Sequence, residues 1–200
     1  MRQTIASPPM ITLASRSPRR VELLAQIGVQ CQTMPADIDE SQHRNESAEH
    51  YVTRLAQEKA QACLQKIAIN QPLMPILAAD TTVVLAGQVL GKPENDADAR
   101  RMLTALSGQL HHVHTAVAVI FNGQIDVALS TTAVQMMALT PAQIDAYIAS
   151  GEHQDKAGSY GIQGPAGAWI KHIEGSYSGV MGLPVYETAV LLRKHGMAIL

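Results

Sequence analysis

The chain shows the pattern of a mixed α/β protein, in which β-rich runs alternate with segments of helical periodicity. Apolar residues recur every three to four positions along 48–68, which predicts a helix. Asn122-Gly123 stands between two β-rich runs and predicts a hairpin. Thr140-Pro141 is typical of a helix start. The length of 200 residues fits one domain, or one domain with two lobes around a cleft.

In the N-terminal half, strand and helix signals alternate. Ser17 and Pro18 suit a helix cap and the first helical position, and Gly28 is placed to end that helix. Ala86-Gly87 is a turn signal after a β-branched run, which predicts a hairpin. The expected elements are a strand at 10–15, helices at 18–27, 48–68 and 96–106, and a strand from 76 that turns back in a hairpin over 83–90.

The C-terminal half continues this alternation around a long glycine-rich segment. Residues 151–167 contain five glycines and carry no strand or helix signal. A loop of that length inside a compact domain is typical of a functional segment. The expected elements are a hairpin of 113–121 and 125–137, a helix at 141–149 that Gly151 ends, a strand at 168–173, a turn at 175–182 and a helix at 184–195.

Composition argues against several classes of protein. A net charge of −2 and a pI of about 6.4 do not favour nucleic acid as a partner. Cys31 and Cys63 lie outside metal-type spacings, so we expect packing residues in a reducing compartment. No stretch reaches the length of a membrane helix. Residues 1–9 lack a signal-peptide core, and we expect a poorly ordered polar leader. These features indicate a cytoplasmic protein without a membrane partner.

Three arginines crowd the predicted start of the first helix. Arg16, Arg19 and Arg20 lie where the helix dipole is already positive, so they cost stability unless an anion binds among them. Free N–H groups, hydroxyls and guanidinium groups at a strand–turn–helix junction are typical of a phosphate site. The alternative is a solvated basic turn. Lys59 and Lys92 extend the basic set, although each alone is typical of a surface lysine.

A second set of candidate residues is acidic. Asp80 follows an apolar pair and precedes a β-branched run, where an ionised carboxylate needs a cation or hydrogen bonds. A strand-ending aspartate is the alternative. Asp39-Glu40 alone is typical of an exposed acidic turn. Arginines beside carboxylates favour metal-assisted phosphoryl chemistry, because Mg²⁺ prefers carboxylate and phosphate oxygens. His111, His112 and His114 lack an evident third ligand and are interpreted as ordinary strand histidines.

The motifs, taken in order, resemble those of the Maf family of nucleoside triphosphate pyrophosphatases. The resemblance covers roughly residues 10–195. The matching segments are LASRSPRR at 13–20 with Glu22-Leu23-Leu24 and Gly28, Asp39-Glu40, Arg54-Leu55-Ala56 with Lys59, Ala79-Asp80-Thr81, Gly91-Lys92-Pro93, Leu106-Ser107-Gly108, DKAGSYGIQG at 155–164, Gly175-Ser176-Tyr177 and Gly182-Leu183-Pro184.

The resemblance implies a fold as well as an activity. It implies a single Maf-like domain over 10–200, with a long, mixed, twisted sheet, two lobes around a central cleft and a homodimer. The implied reaction is hydrolysis of a nucleoside triphosphate to the monophosphate and pyrophosphate with Mg²⁺ or Mn²⁺. Gly161-Ile162-Gln163-Gly164 is similar to the branch that acts on dTTP and UTP, with modified pyrimidine triphosphates as further substrates.

The same resemblance implies roles for individual residues. Asp80 matches the proton acceptor, and Glu40 with Asp80 would hold the metal. The matches for phosphate binding are Ser15, Arg19, Lys59 and Lys92, and those for substrate choice are Arg19, Thr81 and Gln163. The Gln163 amide offers a donor and an acceptor to the O4 and N3–H edge of thymine or uracil.

Two alternatives stay open at this point. One is the same chemistry on a purine such as 7-methyl-GTP, against which Gln163 argues. The other is a nucleotide-sensing or partner-binding protein, against which the intact Asp80, Lys59 and Lys92 argue.

Overall fold

A mixed β-sheet forms the frame of the molecule. The computed structural model describes residues 10–67 and 74–199, and the expected leader at 1–9 lies outside them. Within these ranges seven strands form one sheet in the order β2-β1-β3-β5-β6-β7, with β4 paired to β3. The strands are β1 (Met10–Leu13), β2 (Gln30–Thr33), β3 (Ile76–Leu85), β4 (Gln88–Leu90), β5 (Leu110–Phe121), β6 (Gln124–Met136) and β7 (Ile170–Glu174).

Helices cover the sheet on the described part of the chain. They are α1 (Pro18–Gln26), α2 (Ala48–Lys66), α3 (Asp96–Leu106), α4 (Pro141–Ala149), α5 (Tyr177–Met181) and α6 (Val185–Lys194). Strand β1 pairs in parallel with β2 and β3, and the remaining pairs are antiparallel. The predicted α/β class with a mixed sheet is therefore confirmed. None of the helices described is long and apolar enough to cross a membrane.

The core divides along the length of β3 and β5. One cluster packs α1, α5 and α6 near β1, and another packs α3 and α4 around Val83 and Val113, which gives two lobes. A third cluster joins α2 to the sheet and consists largely of small side chains, which are Ala14, Ala56, Ala60, Cys63, Ala78, Ala116 and Ala118. The two cysteines are unpaired, and both pack against core clusters as expected.

Elements with strong local signals lie where they are expected. The helices at 96–106 and 141–149 match to the residue, and Thr140 and Gln143 form a full capping box. The hairpin closes at Asn122 and Gly123, which have φ angles of 48° and 75°. Such positive φ angles at both central residues are those of the turn type that Asn-Gly favours.

Four local features differ from expectation. The short strand β2 and the short helix α5 were not predicted, and Ser17 occupies the cap position of α1 without a side-chain hydrogen bond. The segment 151–167 is a loop only in part, because it contains a 3-10 turn at Ala157–Ser159 and leads into another at Pro165–Trp169. Its backbone is thus ordered by local hydrogen bonds.

Gly158 attaches this segment to the sheet. Its N–H donates to the Gly91 carbonyl at 3.0 Å, immediately before Lys92. Its φ angle is +66°, and a Cβ there would lie 2.9 Å from Val83 Cγ2 in β3. Glycine is therefore required both for the backbone conformation and for the close approach to Val83.

We expect Gly158→Ala to destabilise the protein by about 2–4 kcal/mol, since a left-handed backbone and an overpacked side chain are each unfavourable. Gly87→Ala is the matched control, because Gly87 has a φ angle of +80° but no atom near its missing Cβ. The free energy of unfolding of Gly87→Ala should fall by only about 1 kcal/mol. Urea denaturation measures both losses, and equal losses would contradict the close-approach argument.

Candidate active site

One cleft of about 910 Å³ contains the residues singled out from the sequence. Its walls come from the β1–α1 turn, the segment before α2, β3, the loop after β4 and the segment 152–164. Each candidate lies on this cleft, namely Ser15, Arg19, Glu40, Lys59, Asp80, Thr81, Lys92 and Gln163. Residues spread over about 150 positions of sequence are thus brought to one surface by the sheet.

The three arginines of the β1–α1 turn have different environments. Arg20 points inward, where its guanidinium donates to the Gly182 carbonyl at 2.7 Å, to Ser15 Oγ at 3.1 Å and to Thr81 Oγ1 at 3.3 Å. Arg16 is exposed and forms an ion pair with Asp37 at 2.9 Å. Arg19 lines the cleft without a hydrogen bond or ion pair to any residue described.

These environments separate positioning from binding among the arginines. Burial lowers the pKa of Arg20, and the nearby charge of Asp80 raises it in part. A guanidinium that is held by three protein oxygens fixes the turn, and only two of its five N–H groups are left for a ligand. Arg19, in contrast, is available to an anion in the cleft. The charge argument from the sequence treated the three alike, because their order along the chain does not show which faces inward, and only the family resemblance singled out Arg19.

Lys59 links the two acidic candidates. From α2 its ammonium group reaches Asp80 Oδ1 at 2.6 Å and Glu40 Oε1 at 2.7 Å. The side chains of Lys59 and Asp80 are only 12% and 11% exposed, so each charge depends on the other for stabilisation. Lys59 was expected to bind phosphate, and in the structure it forms ion pairs with both predicted metal ligands.

The charge of Glu40 responds to this arrangement. Burial raises the pKa of its carboxyl, but the hydrogen bond and charge of Lys59, with the charges of Lys92 and Arg20, outweigh burial. The pKa of Glu40 therefore lies below its ordinary value, and the group is ionised at neutral pH. Asp39, its neighbour, is exposed and accepts hydrogen bonds from Ser41.

A partly buried arginine holds the segment that carries Glu40. Arg54 of α2 donates to both carboxylate oxygens of Glu46 at 2.7 and 2.8 Å, and to the Ser41 carbonyl at 3.0 Å. The Tyr51 hydroxyl donates to the Glu40 carbonyl at 2.9 Å. Sequence reasoning noted Arg54 only within a family motif, and it missed Glu46 and Tyr51. Their only signal was the spacing of Tyr51, Arg54 and Lys59 along one helix.

The segment 152–164 closes the opposite side of the cleft. Gln163 is exposed there, and Lys156 lies across Gly161, whose missing Cβ would be 2.8 Å from Lys156 Cε. Lys92 lines the cleft and makes no hydrogen bond or ion pair within the ranges described. Thr81 lies between the two sides and accepts a hydrogen bond from Thr115 at 3.0 Å.

The donor set of the cleft fits a divalent cation that also binds substrate. Glu40 and Asp80 already converge on one cation, the Lys59 ammonium. Mg²⁺ is usually held by one or two carboxylates with substrate phosphates and waters. Among the residues described, no three His, Cys, Asp or Glu side chains are grouped as metal ligands. The chain's own residues therefore offer such an ion two carboxylates.

The strand histidines lie apart from these charges. His111 is fully buried and its Nε2 lies 2.7 Å from the Tyr160 hydroxyl, and burial lowers its pKa to about 4. His114 Nδ1 lies 2.9 Å from Thr131 Oγ1, and His112 stacks beside it. These contacts agree with the interpretation of ordinary strand histidines.

Comparison with known proteins agrees with this arrangement of fold and cleft. The profile of the family described as Maf-like protein matches residues 10–195. The chain belongs to the Maf family. A relative from Methylobacillus flagellatus, named dTTP/UTP pyrophosphatase, is 58% identical over 189 residues, which cover 94% of each chain.

Two further relatives carry the same name. The dTTP/UTP pyrophosphatase of Bordetella parapertussis is 53% identical over 199 residues, covering 97% of this chain and 96% of its own. The dTTP/UTP pyrophosphatase of Chromobacterium violaceum is 53% identical over 190 residues, which cover 94% of this chain and 96% of the relative. The family predicted from the motifs is thereby confirmed.

The Arg54–Glu46 pair gives the stability a defined pH dependence. The hydrogen bond from Arg54 lowers the pKa of Glu46 from 4.5 to about 2. The contribution of this ion pair to the free energy of unfolding is therefore complete above pH 4.5 and is lost as the pH falls towards 2. We expect Glu46→Gln to be less stable than the wild type at pH 7, with a difference that shrinks over that range.

Denaturation with urea at a series of pH values measures this difference. Glu94→Gln is the control, because the exposed Glu94 carboxylate makes no hydrogen bond or ion pair to the described residues. A Glu46→Gln deficit that stayed constant from pH 7 to pH 2.5 would show that the charge of Glu46 does not produce it.

Proposed function

We propose that the protein is a nucleoside triphosphate pyrophosphatase that hydrolyses dTTP and UTP to the nucleoside monophosphate and pyrophosphate. The observation that carries this proposal is the cleft itself, in which unpaired cations, two convergent carboxylates and the exposed Gln163 face one another. The names of relatives at 53–58% identity support the substrate class.

Arg19, Lys92 and Ser15 are assigned to the triphosphate. Arg19 and Lys92 line the cleft as cations without a protein partner among the residues described, so an anion adds favourable interactions there without breaking others. Ser15 Oγ accepts hydrogen bonds from Arg20 and the Ser17 N–H, which leaves its own hydrogen free to donate. Phosphate oxygens also compete with Asp80 and Glu40 for Lys59.

Asp80 is assigned the role of general base. It accepts a proton from water, the water oxygen bonds to the α-phosphorus, and the bond from that phosphorus to the bridging oxygen breaks. Pyrophosphate leaves with the bonding electrons. Lys59 forms an ion pair with Asp80 at 2.6 Å and, with Arg19 and Lys92, stabilises negative charge that develops on the phosphates.

Glu40 and Asp80 would hold the divalent cation, Mg²⁺ or Mn²⁺. When bound, such an ion neutralises phosphate charge and polarises the phosphorus centre. Both carboxylates converge on the Lys59 ammonium, and Arg54 and Tyr51 hold the backbone near Glu40 in place. The chain thus provides the ligands on one rigid strand and one clamped segment.

Gln163 is assigned to the base, with Arg19 and Thr81 as further determinants of substrate choice. Its amide can donate to O4 and accept from N3–H of uracil or thymine. The same hydrogen-bonding pattern extends to modified pyrimidines that keep this edge, and the names of the relatives support pyrimidine rather than purine substrates.

Assembly and location are also part of the proposal. We assign the protein to the cytoplasm, as a homodimer that has no nucleic acid or membrane partner and forms a single domain over 10–200. The two unpaired thiols and the net charge of −2 support the compartment and the lack of nucleic acid. Resemblance to the family supports the dimer.

Pyrophosphate release from a panel of triphosphates tests the activity. The panel contains dTTP, UTP, CTP, dATP, GTP and 7-methyl-GTP, each with Mg²⁺, with Mn²⁺ and with EDTA. We expect release from dTTP and UTP that EDTA abolishes. Turnover of 7-methyl-GTP instead would assign the chain to the purine branch, and binding without any release would indicate a nucleotide sensor.

We expect Asp80→Asn to lose at least about a hundredfold in kcat on UTP, because the general base is removed. Nucleotide affinity, measured by calorimetry, should remain, since Lys59 keeps its ion pair with Glu40. Asp39→Asn is the control, because the Asp39 carboxylate bonds Ser41 and does not line the cleft. An Asp80→Asn variant within a fewfold of the wild type would exclude the base role.

A further inference from the structure

The turn that presents Gln163 is small and closed. The Gly164 N–H donates to the Gly161 carbonyl at 3.1 Å, so residues 161–164 form a single tight turn. Ile162 is buried in the core cluster around α1 and α6, whereas Gln163 is exposed on the cleft. The Gln163 amide makes no hydrogen bond to any residue described, so its orientation depends on the backbone of the turn.

A tyrosine hydroxyl attaches this turn to the rest of the lobe. Tyr147 of α4 accepts a hydrogen bond from the Gly161 N–H at 3.2 Å and donates to the Glu152 carbonyl at 3.4 Å. Its side chain is 4% exposed and packs against Trp169, with ring centroids 4.9 Å apart. The hydroxyl is therefore held by a rigid helix and joins the two ends of the segment 152–161.

The orientation of the Gln163 amide matters because a primary amide can bind either of two opposite arrangements of hydrogen-bond donor and acceptor on a base. Uracil and thymine present an acceptor at O4 and a donor at N3, whereas cytosine presents a donor at N4 and an acceptor at N3. Rotating the amide by half a turn exchanges its donor and acceptor and fits the other base. Discrimination between these bases therefore requires that the protein restrict the rotation.

We infer that Tyr147 is a positioning residue for base selection: its hydroxyl fixes the Gly161–Gly164 turn and so sets the preference for uracil and thymine over cytosine. This inference rests on the proposed function, since it concerns the base that the same cleft accepts. It assigns a specificity role to a side chain that lies behind the turn.

The hydroxyl is suited to this role over the working pH range. Burial raises the pKa of Tyr147, and the hydrogen bond from Gly161 lowers it only in part. The group therefore stays protonated near neutral pH and can accept and donate at once. Tyr147→Phe keeps the ring packed and removes only the oxygen, which leaves the Gly161 N–H without its partner.

The ratio of kcat/KM for UTP to that for CTP measures the effect. We expect Tyr147→Phe to lower this ratio about fivefold to tenfold, the range expected for loss of one buried hydrogen bond. In a Gln163→Ala background, where the amide is absent, the same substitution should leave the ratio unchanged. A fall of equal size in both backgrounds would overturn the inference, because the effect would not act through Gln163.

Tyr51→Phe is the matched control. It also removes a tyrosine hydroxyl that bonds a backbone group beside the cleft, but on the Glu40 side. Whatever it does to the rate, it should leave the UTP to CTP ratio at the wild-type value. A ratio that fell equally in Tyr51→Phe would overturn the assignment to Tyr147.

Amide hydrogen exchange in the wild type keeps the inference testable even if Tyr147→Phe does not fold. The Gly161 amide should exchange at least about tenfold more slowly than that of the exposed Gly123, and equal rates would overturn the inference. The outcomes also separate the two proposals. A wild type without pyrophosphate release refutes the proposed function, and with it the inference. An active wild type whose ratio is unaltered in a folded Tyr147→Phe refutes the inference alone.

Discussion

The ion pairs of Lys59 with Asp80 and Glu40 are the constraint on which the rest of the cleft depends. Three charges meet there at 2.6 and 2.7 Å, and loss of Lys59 would leave Asp80, whose side chain is only 11% exposed, without a counter-charge. Helix α2, which carries Lys59, must therefore keep a fixed distance from β3. The segment that carries Glu40 must in turn lie close to the end of the Lys59 side chain. Arg54 meets the second requirement by binding Glu46 and the Ser41 carbonyl.

The cationic side chains in and around the cleft fall into two groups. Those that lie inside hold the protein together: Arg20 ties the β1–α1 turn to Thr81 and to the Gly182 carbonyl, and Arg54 ties one segment to α2. Arg19 and Lys92 also line the cleft, and neither has a hydrogen-bond or ion-pair partner in the described part of the chain. A highly charged ligand can thus enter without breaking the bonds by which Arg20 and Arg54 hold the walls of the cleft.

The sequence predicted what depends on local signals or on a shared family pattern. The Asn122-Gly123 hairpin and the capped helix at Thr140 were predicted because a few adjacent residues determine them. Strand β2 was missed because its four residues, QCQT, are mostly polar and too few to show a period, and parallel pairing with β1 is what makes it a strand. Helix α5 is only five residues long and relies on a cap at Ser176.

Candidate site residues were found through their motifs, but their partners were not. Neighbouring arginines look alike in a sequence, and the direction of each side chain around α1 decides that Arg20 is internal and Arg19 open. The bond between Tyr147 and Gly161 spans fourteen residues and has no sequence signature. Such contacts depend on how α4 packs against the glycine-rich segment, which only the folded chain determines.

The small side chains between α2 and the sheet bear on how this family can vary. Ala56 and Ala60 of the helix meet Ala78, Ala116 and Ala118 of the strands, so the two backbones approach more closely than larger residues would permit. The reach of a lysine side chain then suffices to span from helix to strand. The alanines set the distance between α2 and the sheet, and the length of the Lys59 side chain matches that distance. Drift towards bulkier residues in this layer would lengthen the charge contacts before it unfolded the protein.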